Sequence, residues 1–464
     1  MAASDGAPEG APEAASEGAL RDSLRLAARR FGTPSYVTSV ASLDAAAAEL
    51  REAFPDPWLR SFSLKANDVP AVVARLAAAG LDANVVSSGE WAAARRARVP
   101  NARMTLEGVG KTASDLRAAV RAAAGGEPLR WVAVESPEEL TALGILAARA
   151  GLGRDGHAGG GQAGGGHAGS GRAGLPPLDV LLRLNPDVRP ETHAGLAVGH
   201  GASKFGMSET ELTGAVSGLA DDGPLRARGV HLHIGSQLGA VDAWRDGVRR
   251  GLAVLALVGA GRPDFDTLDV GGGFPVGEAG SVPPPGRFAC EMGPLLEAIP
   301  TGRRPQRLAV EPGRFLVARA GWLVASVLHV RERDGADAGG ATVRIVVIDA
   351  GMTELVRPAL YGAWHRVTAL TSLGRAVDDL DPAGSSSGAT PARVDGPVCE
   401  STDTLGTHDL PPLRRGDLVA IADAGAYAAS MAMTYNGRPA APQVLLEADG
   451  RLVLGRRRGR VTGG

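Results

Sequence analysis

Between residues 61 and 311 the chain repeats one rhythm: a short, β-prone apolar run, a turn, then an Ala-, Leu- and Arg-rich stretch of helical period. The runs are Ser61–Ala66, Ala83–Ser87, Arg103–Glu107, Trp131–Glu135, Val180–Asn185, Val230–Ile234, Thr267–Val270 and Leu308–Glu311, with helical stretches such as 90–98, 112–124, 137–150 and 241–260 between most of them. A helix between two strands returns the chain to the same edge, so the strands pair in parallel. Eight such units in roughly 250 residues predict a (β/α)8 barrel of the TIM type. An open, doubly wound sheet shares the alternation, and periodicity alone does not separate the two.

After Arg314 the long helices stop. Trp322–Val330, Val343–Asp349, Val419–Ala422 and Val444–Leu445 follow as strand-like runs, predicting a mostly-β, barrel-like domain over 315–464. Residues 1–20 read as a disordered tail and 21–60 as a segment packing with the β domain, which leaves 61–314 for the barrel. Gly153–Gly174 and Asp381–Thr390 are low-complexity and read as exposed loops, the first a flexible insert in which His157 and His167 are incidental.

Composition removes several classes of function. A formal net charge of −2 leaves no basic field for nucleic acid or an anionic membrane. No apolar run approaches the roughly 20 residues that span a bilayer. The two cysteines, Cys290 and Cys399, are too few for a disulfide framework, and a reducing cytoplasm is the expected compartment. One bias is informative: of 49 basic residues only Lys65, Lys111 and Lys204 are lysines. Arginine cannot serve as an amine nucleophile, so a lysine kept against this drift points to a need for the amine.

Barrels of this kind carry reactive groups at the carboxyl ends of their strands. Lys65 ends the first run, Ser87-Ser88-Gly89-Glu90 the second and His233 the sixth. Gly271-Gly272-Gly273 ends the seventh, and Glu311-Pro312-Gly313-Arg314 the eighth. Lys65 could be a surface lysine, but its rarity and its place at a barrel mouth favour an amine nucleophile. A glycine triplet after strand seven, with Arg314 after strand eight, suits a phosphate.

His231 and His233 form an H-x-H pair that invites a metal, as in barrel hydrolases. The further ligands such a site needs are not convincing, so no metal is expected. Gly108-Val109-Gly110-Lys111-Thr112 resembles the end of a P-loop, but Thr105 stands where its first glycine belongs. In the β domain three clusters stand out: Arg357 to Tyr361, Cys399 to Asp403, and Gly425-Ala426-Tyr427. Packing explains Tyr361, Tyr427 and Cys399 as well as function does.

Taken in order, Phe62-Ser63-Leu64-Lys65-Ala66-Asn67, Ser87-Ser88-Gly89-Glu90, Ser203-Lys204-Phe205-Gly206, His231 to Gln237, Asp269 to Gly273, Glu311 to Arg314, Arg357 to Tyr361, Gly396 to Ser401 and Gly425 to Tyr427 carry a resemblance. The chain resembles the pyridoxal-phosphate decarboxylases with an alanine-racemase-like barrel, and among them the branch that acts on diaminopimelate. The resemblance implies that Lys65 holds pyridoxal 5'-phosphate, His233 stacks on its ring and Glu311 keeps the ring nitrogen protonated. Ser236, Gly271, Gly272, Gly273, Gly313, Arg314 and Tyr427 would bind or border the phosphate. Arg314, Arg357, Tyr361 and Tyr427 would line the substrate, Cys399 would supply the proton that replaces the carboxylate, and Glu400 would recognise a distal ammonium. In this family Cys399 and Glu400 reach into a partner's site, so a homodimer with shared sites is implied. A distal cation and anion together, Arg357 with Glu400, favour meso-2,6-diaminopimelate, giving L-lysine and CO2, over ornithine. A decarboxylase for another, ornithine-, arginine- or carrier-linked amino acid is the alternative, and a catalytically silent homologue that only binds cofactor or partner is the non-enzymatic one.

Overall fold

The computed structural model describes residues 11–153, 175–201, 203–277, 280–334, 342–380 and 388–460. They form two compact units, one from the described residues between 44 and 316 and one from those before 44 and after 316. The glycine-rich insert, apart from Gly153, and the Gly/Ser tract up to residue 387 lie outside the described residues. The first strand, β1 (Ser35–Ser39), belongs to the second unit.

Eight strands close the first unit into a parallel barrel: β2 (Leu59–Ser63), β3 (Asp82–Val85), β4 (Met104–Leu106), β5 (Trp131–Val134), β6 (Leu178–Arg183), β7 (Leu225–His231), β8 (Thr267–Asp269) and β9 (Arg307–Val310). Pairing of Leu59 with Ala309 and of Arg60 with Val310 joins the last strand to the first, which decides for the barrel over the open sheet. Helices between the strands start where the sequence supplies caps. Thr112 and Asp115 form a reciprocal capping box, as do Ser208 and Glu211, while Ser87 and Ser136 accept the N–H groups of Glu90 and Glu139. Trp131, Ala133, Leu181 and Ala309 fill the barrel interior, with Leu59 packed against them.

Two strands differ from expectation in a way that matters for the site. β7 begins at Leu225, not Val230, and ends at His231, so His233 lies beyond it. Its early half is polar because Arg226 and Arg228 turn outward onto Asp179, at 2.6 and 3.8 Å, which hides the strand from an apolar-run criterion. β2 ends at Ser63, and a single 3-10 turn, Leu64–Ala66, carries Lys65.

In the second unit β1 pairs antiparallel with the long strand β10 (Gly321–Asp334) and parallel with Gln443–Leu446. β10 continues antiparallel to β11 (Thr342–Ile348), which the strands Thr390–Asp395 and Thr404–Leu410 extend. The amino-terminal helix, Ala11–Phe31, takes up residues 11–20 of the expected tail, and residues 1–10 lie outside the described residues. Its buried face supplies Leu24, Ala27 and Ala28 to a core with Val37, Val324 and Val444. Arg25 is anchored on the same helix by Asp378 at 2.9 Å and the Leu370 carbonyl at 3.0 Å.

Candidate active site

At the carboxyl end of the barrel the strand termini bring one polar cluster together. Lys65 is half-buried on the turn after β2, and its charge acts on His231, His233 and Glu90. His233 is half-buried. Burial, then the positive charges of Lys65 and Arg183, hold its imidazole well below its ordinary range, so the ring is neutral at pH 7. The Gly272 N–H donates to its Nδ1 at 3.3 Å, which places the ring proton on Nε2.

The glycine triplet has a steric cause. Gly271 and Gly273 have φ of +71° and +101°, and a Cβ on Gly272 would collide with the Glu311 carbonyl oxygen. The Gly271 N–H donates to Asp269 Oδ1 at 2.9 Å and the Gly272 N–H to His233 Nδ1, so what the triplet supplies is a close approach of bare backbone where side chains would not fit. Arg314 donates to the Ser236 hydroxyl at 3.0 Å, so a guanidinium and a hydroxyl stand together. Gly313 packs its backbone against Ser63 and Ala66, on either side of Lys65.

Glu311 is buried at the far side. Asn84 donates to its Oε1, and His231 Nε2 lies 3.3 Å from its Oε2 and 3.3 Å from Glu107 Oε2. Burial lowers His231 to about 4, so that contact is a hydrogen bond from a neutral ring and not an ion pair. An amine, a guanidinium and hydroxyl beside the glycine triplet, and a buried carboxylate, around a flat neutral imidazole, fit the aldehyde, phosphate and basic ring nitrogen of pyridoxal phosphate.

Residues 40–318 match the profile of the pyridoxal binding domain of pyridoxal-dependent decarboxylases. The chain belongs to this family. A diaminopimelate decarboxylase of Zymomonas mobilis is 31% identical, with 93% of this chain and 91% of that protein aligned. One from Actinosynnema pretiosum is 33% identical over 89% of this chain and 84% of its own length. Among solved structures, diaminopimelate decarboxylase from Helicobacter pylori complexed with L-lysine superposes with a TM-score of 0.78 at 28% identity, covering 94% of this chain and 97% of that one. The lysine/ornithine decarboxylase of Vibrio vulnificus, at 22% identity and a TM-score of 0.70, shares the fold. This pyridoxal-dependent decarboxylase is therefore an amino-acid decarboxylase that uses pyridoxal phosphate.

The other expected residues belong to the second unit. There the Arg357 guanidinium lies 5.7 Å from the ring centroid of Tyr361. Glu400 accepts a hydrogen bond from the Tyr435 hydroxyl at 2.8 Å, and Asn436 Nδ2 lies 3.9 Å from Cys399 Sγ. Tyr427 adopts a left-handed φ of +55°, uncommon for an aromatic residue, at the end of the Gly425-Ala426-Tyr427 turn.

The three lysines separate by environment. The Lys111 side chain is buried, with its Nζ 3.0 Å from Glu139 Oε1 and 2.5 Å from the Gly108 carbonyl. Lys204 is exposed, 5.4 Å from the ring centroid of Phe205. Sequence reasoning passed over Asn84, Glu107, Glu135, Arg183 and Asp269, all buried at or just beyond the ends of barrel strands. For Glu107 and Glu135 the signal was available, since each ends an apolar run as Glu311 does; Asn84, Arg183 and Asp269 lie within their runs, where only the barrel shows that they turn towards the strand ends. As for the H-x-H pair, His231 turns inward to the two glutamates while His233 accepts from the Gly272 N–H.

Proposed function

We propose that this chain removes the carboxylate of meso-2,6-diaminopimelate as CO2 and releases L-lysine, the last step of a lysine biosynthesis. The observation that carries the reading is the grouping of Lys65, His233, Glu311 and the glycine triplet at the strand ends of one barrel, in a chain that aligns along nearly its whole length with diaminopimelate decarboxylases. Pyridoxal phosphate, when bound, supplies a protonated ring into which the electron pair left on Cα can spread.

The chain's own residues do the rest. Lys65 anchors the cofactor through its amine. Gly271, Gly272, Gly273, Gly313, Ser236, Arg314 and Tyr427 hold the phosphate end. His233 offers the flat face of a neutral ring, and a neutral ring at that place avoids a second positive charge beside Lys65. Glu311 keeps a proton on the ring nitrogen, since a buried carboxylate favours a cation beside it. Arg314, Arg357, Tyr361 and Tyr427 line the distal part of the substrate. Glu400 takes its distal ammonium, and Cys399 delivers the proton to Cα where CO2 has left. Cys399 and Glu400 act on the site of a second copy, so the working form is a homodimer, and the compartment is the cytoplasm. Neither nucleic acid nor a membrane is a partner; among the described residues no helix is long and apolar enough to cross a membrane.

A decarboxylase for ornithine, arginine or a carrier-bound amino acid would share the barrel pocket and differ at the distal end. Incubation with meso-diaminopimelate, followed by mass identification of products, tests the reading. Lysine and CO2 in equal amounts, with no product from ornithine or arginine, support it. Turnover of ornithine in preference to diaminopimelate overturns it.

A further inference from the structure

The barrel holds more acid than this reaction uses. Glu107 after β4, Asp269 at the end of β8 and Glu311 after β9 are 4%, 0% and 2% exposed, and they face one another across the strand ends. His231 on β7 bridges Glu107 and Glu311, and Asn84 on β3 donates to Glu311. The positive charges that act on this cluster are Arg183 on β6 and Lys65 beyond β2. Arg183 already pairs with Glu135 after β5, at 2.6 Å.

Three carboxylates in so dry a volume cannot all be ionised. Burial, reinforced by the neighbouring Glu311, drives both Glu107 and Asp269 well above the ordinary carboxyl range. His231 Nε2 lies 3.3 Å from a carboxylate oxygen of Glu107 and 3.3 Å from one of Glu311, so the two side chains crowd a single point. Burial and crowding therefore favour a proton on Glu107 and on Asp269, and the neutral imidazole of His231 closes one side.

We propose that Glu107 is a positioning residue for the decarboxylation: its carboxyl, buttressed by His231, hydrogen-bonds to Glu311 and confines that side chain to the place where it meets the cofactor ring nitrogen. This rests on the role given to Glu311 above. Glu107 touches neither substrate nor cofactor in this account; it acts through its neighbour.

The test is a spectrophotometric pH titration of the holoenzyme, comparing wild type with Glu107→Gln, Glu107→Leu and Glu311→Gln. Glutamine keeps a donor towards Glu311 but cannot ionise, and leucine removes the donor. The wild-type visible band changes on the alkaline side of neutrality as Glu107 releases its proton. Glu107→Gln retains the neutral-pH band and loses that alkaline step. Glu107→Leu shifts the neutral-pH band and lowers kcat roughly 10²-fold with little change in KM, the scale of a misplaced catalytic group. An alkaline step that persists in Glu107→Gln, or a Glu107→Leu enzyme with wild-type band and kcat, overturns the proposal. Should Glu107→Leu not fold, the alkaline step in Glu107→Gln decides alone. If Glu311→Gln leaves band and pH response unaltered, the role of Glu311 fails, a result distinguishable from failure at Glu107.

Discussion

Lys111→Met is a sharp test of why this chain keeps a lysine away from the cofactor. The Lys111 side chain is 0% exposed and pairs at 3.0 Å with Glu139, itself 14% exposed. Methionine matches the aliphatic stem and removes the charge, so Glu139 loses its cation while keeping the Glu135 N–H at 2.8 Å. Breaking a buried pair by deleting one partner costs about 3–5 kcal/mol. Glu139 can limit that loss by taking a proton, because burial already raises its pKa above the ordinary value despite Lys111. The expected destabilisation is thus near the lower end, about 3 kcal/mol at pH 7.5, and roughly 6 °C in melting temperature for a unit of this size.

The sign of its pH dependence follows. Without Lys111 the folded-state pKa of Glu139 rises further above its unfolded value, so the folded variant binds the proton more tightly than the unfolded chain. Stability relative to wild type is then recovered as pH falls through that raised pKa and is lost as pH rises. Thermal melts of the holoenzyme at pH 5.5 and 7.5, with Lys204→Met as the exposed control, measure this. A Lys111→Met enzyme within about 0.5 kcal/mol of wild type, the range of a plain surface change, or one with a deficit that grows on acidification, would refute the reasoning.

Lys65→Ala is expected to yield folded, colourless protein that has lost the visible band and at least about 10³-fold of its turnover, as an absent nucleophile requires; absorbance and CO2 release check it. Gly272→Ala drives a Cβ into the Glu311 carbonyl, and cofactor affinity in an equilibrium titration should fall at least about tenfold, equivalent to 1.4 kcal/mol. Arg357→Met should raise KM for meso-diaminopimelate by roughly 10²-fold while the cofactor band stays unchanged, since a charge-assisted contact worth about 2–3 kcal/mol is lost; an unaltered KM would remove Arg357 from the substrate. Cys399→Ser should lower kcat by about 10²-fold or more with KM little changed, as loss of a well-matched proton donor does, and steady-state kinetics separate the two constants.

Several features of the molecule can be read from residues alone because they depend on local chemistry. Apolar runs alternating with helical stretches mark the barrel, and the capping pairs at Thr112 and Ser208 mark where helices begin. The scarcity of lysine singles out Lys65, although the same scarcity points equally to Lys111, which serves an ion pair. β7 escaped the apolar criterion over its first half, since Arg226 and Arg228 are outward charges that only Asp179 on the neighbouring strand accounts for.

What required the folded chain is anything set by residues far apart in sequence. Barrel closure rests on Leu59 and Arg60 meeting Ala309 and Val310, and no local pattern distinguishes that pairing from an open edge. Glu107, His231 and Glu311 are ordinary side chains until three strand ends bring them within hydrogen-bonding distance, away from water. Sequence settles which groups are available and which helices and strands form, because those preferences act over a few residues. Which carboxyls keep their protons is decided by burial and by neighbours, and both exist only once the barrel has closed.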